Sequence, residues 1–129
     1  MTSTDPGRLR PPPRERFTGD TLAFDLDQVF DELASESFHE IDGHHQIALF
    51  KDGNSTVIAF LFDTDGYLPD HQADGFVTIQ VIEGRLNIST PDEEYDLGTG
   101  GLLLFRPGVP HDVLATEPSK MLLTVHLER

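Results

Sequence analysis

From residue 44 onward the chain is a succession of short apolar runs broken by turn residues, and no other feature constrains its fold as tightly. HHQIALFK, STVIAFLFD, FVTIQVI, RLNIST, EYDL, LLLF, HDVLAT and KMLLTVHLE are rich in β-branched and aromatic residues. DGN, DTDG, EG, PDEE, GTGG, PGVP and EPSK separate them. Runs this short, bounded by Gly, Pro, Asn and Asp, read as strands joined by tight turns. Strands at such close spacing predict a sandwich or barrel, because a parallel α/β sheet needs a helical crossover between its strands. The fold class is mainly β.

What precedes the strands divides in two. Residues 1–20 lack hydrophobic periodicity and include three consecutive prolines, which predicts a leader outside the core. Residues 21–43 read as a helical lead-in to a barrel of residues 44–129. Within the lead-in Leu26, Val29, Phe30 and Leu33 form one helical stripe running to about Ser35, with Asp25 or Asp27 as cap. The stripe is expected to dock on the barrel.

Charge and composition remove several function classes. The net charge is −14, but residues 1–16 hold four of the nine basic residues and two of the 23 acidic ones. That leaves 5 basic and 21 acidic residues in 17–129. A body so acidic repels phosphate backbones, which argues against nucleic acid as a partner. The chain has no cysteine, so disulfides, thiolate metal sites and cysteine nucleophiles are excluded. No apolar stretch resembles a signal peptide or is long enough to span a membrane as a helix, so the expected location is the cytoplasm. There is no Gly-Lys phosphate loop and no nucleophile elbow.

Two segments remain that carry chemistry. In the first, Gly66 is followed by His71 and, thirteen residues on, by Gly84 in a Glu-Gly hairpin. In the second, the stretch that ends in GLLLFRPGVPH brings Gly100, Gly108 and His111 into register. Together they resemble the paired motifs of the cupin superfamily, with the first gap one residue short and Arg106 at a position usually held by proline. The resemblance covers roughly residues 44–127 and implies a double-stranded β-helix, or jelly-roll barrel. It also implies a site in the lumen, since metal-binding cupins use two histidines and a glutamate from the first motif and one histidine from the second. His71 and His111 stand at the outer two positions. Ala73 replaces the second histidine and Val77 the glutamate, and neither can donate a lone pair.

A divalent transition metal generally needs about three firm protein donors. His126, on the last strand, is a candidate third ligand, although alternation turns it away from Leu123, Val125 and Leu127. Asp70 and Asp74 flank the first motif as further donors. Of the adjacent His44 and His45, at most one can face inward. Ala73, Val77 and Ile79 are expected to give the pocket an apolar wall around the imidazoles of His71 and His111.

Three readings follow. The first is a module binding a small molecule, a divalent metal or both through His71 and His111. The second is a metal-dependent enzyme, dioxygenase- or isomerase-like, with a sparse histidine site holding iron, manganese, nickel or zinc. The third is a metal-free enzyme with one histidine as base, although no acid partner is visible in the motif. The sequence leaves open whether any metal is present. A homodimer paired through the N-terminal strands is expected, because it would cover exposed sheet edges.

Overall fold

The computed structural model describes residues 19–36, 43–71 and 73–128, and of Asp70 and His71 the backbone only. The predicted leader lies almost wholly outside the described residues. A single helix, α1 (Leu26–Ser35), precedes nine strands: β1 (His44–Asp52), β2 (Ser55–Phe62), β3 (Tyr67–His71), β4 (Gly75–Glu83), β5 (Arg85–Ser89), β6 (Glu94–Gly98), β7 (Leu102–Phe105), β8 (His111–Ala115) and β9 (Ser119–Leu127).

The helix begins where the sequence places it. Asp25 sits in extended backbone and its carboxylate accepts a hydrogen bond from the Gln28 N–H, satisfying one of the free donors of the first turn. Phe30 and Leu33 are each 1% exposed and pack with Leu49 and Ala59, flanked by Ile47, Val57, Leu61 and Leu122. α1 therefore covers the outer side of β1 and β2.

All strand pairs are antiparallel. They build a five-stranded sheet in the order β1-β2-β9-β4-β7 and a four-stranded sheet in the order β3-β8-β5-β6. Consecutive strands often lie in different sheets, the connectivity of a jelly roll. β3 is the strand that the sequence reading missed. Pro69 within YLPDH, and the register shift between Leu68 and His71, hide it from pattern reasoning, since proline is confined to edges and bulges of a sheet.

Alternation sends one face of each strand into a shared interior. Phe60, Phe62, Leu68, Val77, Ile79, Val81, Leu86, Ile88, Phe105, Val113, Ala115, Met121 and Leu123 form the core between the sheets. Gly84 has φ +100° in the β4–β5 turn and Gly108 φ +82° after Pro107, the left-handed backbone that those turns require. No described helix is long and apolar enough to cross a membrane.

Candidate functional site

The site residues are best located by strand parity. On β8, His111, Val113 and Ala115 are buried while Asp112 and Leu114 are exposed, so His111 shares the inward face with the core residues of its strand. It is 2% exposed. Its ring lies nearly flat on Phe105, with centroids 4.3 Å apart and planes 10° from parallel. Its Nδ1 is 3.1 Å from the Val109 carbonyl oxygen. A carbonyl can only accept, so Nδ1 carries the proton, and in the neutral ring the lone pair then resides on Nε2. Stacking fixes the plane of the imidazole and the Val109 bond fixes its rotation.

The backbone of His71 pairs directly with that of His111 across β3 and β8. The two motif histidines thus meet at neighbouring positions of one sheet, although the His71 side chain lies outside the described residues. The same holds for Asp70. Asp74 is exposed, and its carbonyl accepts from the Glu128 N–H at 2.9 Å.

His111 also borders space. Together with Ser89, Thr90, Pro91, Pro110 and Asp112 it lines a half-open cavity of about 280 Å³ at the rim between β5 and β8. The register partner of Asp112 is Ser89, which brings the two sides of this cavity together from distant parts of the sequence. Nothing in the sequence marks Ser89 or Thr90, because their place depends on long-range pairing. The stacking of Phe105 on His111 follows from the β4–β7 register and the Pro107–Pro110 turn.

Other expected site residues stand elsewhere. Val77 and Ile79 are 2% and 0% exposed and are packed within the core, opposite Val125 and Leu123 of β9. They fill the interior instead of walling an open pocket. Ala73 is partly buried against the core, and its carbonyl accepts from the Gly108 N–H at 2.8 Å, tying the loop before β4 to the turn before β8.

His126 does not join His111. Met121, Leu123 and Val125 belong to the core, so His126 projects from the outer face of β9, where it is exposed and its Nδ1 lies 3.0 Å from Ser55 Oγ. Of the first-strand pair, His44 contacts the core phenylalanines and His45 faces α1, 4.0 Å from a Glu36 carboxylate oxygen.

This arrangement does not fit the four-ligand metal centre of the related fold. Two positions hold side chains without donors, His126 is on the wrong face, and no three His, Asp or Glu side chains cluster among the described residues.

The sequence matches the family model for the AraC-like ligand binding domain over residues 52–122, more than half of the chain. The chain belongs to that family. Its fold is that of the cupins: a cupin superfamily protein from Desulfitobacterium hafniense is similar over 94% of both chains, with 17% identity and a TM-score of 0.65. KdgF from Halomonas sp. shares 17% identity at a TM-score of 0.63, covering 74% of this chain and 90% of its own. The cupin-2 domain of an XRE family transcriptional regulator from Enterobacter cloacae, also 17% identical, aligns at a TM-score of 0.58 over 67% of this chain and 99% of its own. No curated protein matches the sequence. The AraC-like match ends at residue 122, so it takes in His111 and its cavity but stops short of His126.

Proposed function

We propose that this AraC-like domain is a binding module for a small organic molecule, held at the rim of the barrel by the imidazole of His111, with His71 beside it. The observation that carries this reading is the setting of His111: a buried ring, fixed in plane and rotation, that forms part of a cavity wall. A preset polar group at the edge of an apolar interior is what small-ligand sites use to orient their guests. The cavity volume of about 280 Å³ suits a ligand of few heavy atoms. Asp112 at the mouth and the acidity of the whole chain disfavour anions, so the ligand is neutral or cationic.

The cupin-2 domain of the Enterobacter regulator offers a parallel for such a module in a larger regulatory protein. A metal-dependent enzyme is the competing reading, and the same experiment separates the two. Thermal unfolding is measured against a library of neutral and cationic sugars, amines and aromatics, and against iron, manganese, nickel and zinc, for wild type and His111→Ala. A hit from the organic set at about 100 times its Kd should stabilise wild type by about 2.7 kcal/mol, and the shift should disappear in the variant. Stabilisation that survives His111→Ala, or a flat response to every organic compound, would overturn the proposal. One equivalent of bound metal lost in the variant would establish the metal reading instead.

A further inference from the structure

A groove lies outside the barrel, where the segment leading into α1 meets the first two strands. Its larger compartment, of about 350 Å³, is walled by Leu22, Phe24, Leu49, Phe50 and Val57. Its smaller compartment, of about 220 Å³, is walled by Phe24, Val29, Ile47 and Leu49. Phe24 and Leu49 belong to both, so the two compartments adjoin.

A β-bulge builds this groove. Leu49 falls between the register pairs Ala48–Ile58 and Phe50–Val57 of β1 and β2. Ile58 packs against the core, whereas Val57 and Leu49 pack on the helix side of the sheet. Leu49 and Phe50 are thus consecutive residues on one face, which regular alternation forbids and a bulge permits. Bulges gather where a strand has to re-aim a side chain beside a site. α1 uses Phe30 and Leu33 to cover its share of this face and leaves Phe24 47% exposed over the groove.

We propose that the groove is a second binding site, separate from the His111 cavity, for an organic cation with an apolar body. Charge selects this occupant. Asp20 borders the larger compartment, and Asp25 and Glu32 border the smaller. No lysine, arginine or histidine stands among the described residues that line either one. An anion is therefore repelled, and a neutral guest leaves the carboxylates unused. Asp25 accepts the Gln28 N–H as the helix cap, but a carboxylate keeps further lone pairs for a cation. Phe24 lies on the boundary of both compartments, so its ring borders the carboxylates and the apolar wall alike and can add a cation–π contact. The apolar body then rests on Leu49, Phe50 and Val57.

The test is isothermal titration of the full chain with hexyltrimethylammonium below its micelle limit, beside tetramethylammonium, hexanol and hexanoate. Hexyltrimethylammonium should bind most tightly and hexanoate least, and added salt should weaken the cation alone among the chain-bearing probes that bind. Phe24→Ala should lower its affinity about tenfold. Asp25→Asn with Glu32→Gln should lower it about fivefold, with the helix cap kept because asparagine caps as well as aspartate. Asp31→Asn, exposed on α1 and outside both linings, should leave it unchanged. His111→Ala should also leave it unchanged. Compounds bound here are recognised by losing their effect in Phe24→Ala, and are set aside when the His111 cavity is scored. Absence of binding to the full chain, whether the groove stays open or is taken by Arg14 and Arg16 of the same chain or by a basic peptide, would overturn the proposal. So would hexanoate binding as tightly as the cation, an affinity indifferent to both Phe24→Ala and the paired charge variant, or one lost in His111→Ala or Asp31→Asn.

Discussion

His44 and His111 are two buried histidines near opposite ends of one barrel, and their surroundings give them different work. β8 starts at His111 and ends at Ala115, whose backbone bonds Gly66 and Asp65 close to where His44 reaches Tyr67. At that end the protein closes on itself. His44 Nδ1 is 3.1 Å from the Tyr67 carbonyl oxygen and Nε2 is 3.1 Å from the Gln46 side chain, so both ring nitrogens meet protein groups. Its ring leans on Phe60 and Phe62, each 5.4 Å away between centroids. At the other end, His111 lies flat on Phe105 and forms a cavity wall. The two are 4% and 2% exposed, so burial alone cannot tell a closing histidine from one placed to receive a ligand.

The largest effect expected is at the closed end. A Cβ on Gly66 would lie 2.4 Å from the Gly43 carbonyl oxygen and 2.8 Å from that of Asp63, both backbone atoms that cannot swing aside. Gly66→Ala should therefore cost about 3 kcal/mol, the upper range for overpacking. Urea unfolding should show a lower midpoint with the slope unchanged. A midpoint within error of wild type would mean that the barrel is not sealed there.

Next in size is the contrast between the histidines themselves. His44→Ala removes ring packing against two phenylalanines and the bond that ties β1 to β3, and should cost about 2–3 kcal/mol. His111→Ala, at a cavity wall, should cost about 1 kcal/mol less, because solvent can enter the space vacated beside an existing opening. Equal losses in paired unfolding measurements would erase the distinction between the two ends.

Much of this division could be read from the residues, and the unread part has a physical cause. Eight strands and the helix were legible because alternation, an aspartate cap and glycine turns are local signals. β3 was not, because Pro69 and a shifted register mask it. For the site, the two motif positions led to His111 and to the backbone of His71, which β3 and β8 set opposite one another. The expected apolar pocket wall of Val77 and Ile79 is core instead, since spacing gives a side chain's face but not how far the opposing sheet fills the space. Ser89 and Thr90 were silent for the complementary reason: Ser89 lies 23 positions from its register partner Asp112, and such a pairing leaves no trace in a local pattern. Sequence parity did reveal that His126 faces away from Leu123 and Val125, but not which of the two faces is the lumen.

That last point carries the smallest prediction. His126 is exposed on the outer sheet face, and its described contact is with Ser55 at 3.0 Å. An exposed hydrogen bond competes with water on equal terms, so His126→Ala should change stability by no more than about 0.5 kcal/mol. It should also leave any stabilisation by the ligands that respond to His111 at its wild-type size, measured at one protein concentration. A ligand response abolished by His126→Ala would mean that the two sides of β9 communicate. The separation of the inward site on His111 from the outer face of β9 would then have to be abandoned, because a strand whose successive side chains point to opposite sides gives His126 no direct route to the cavity.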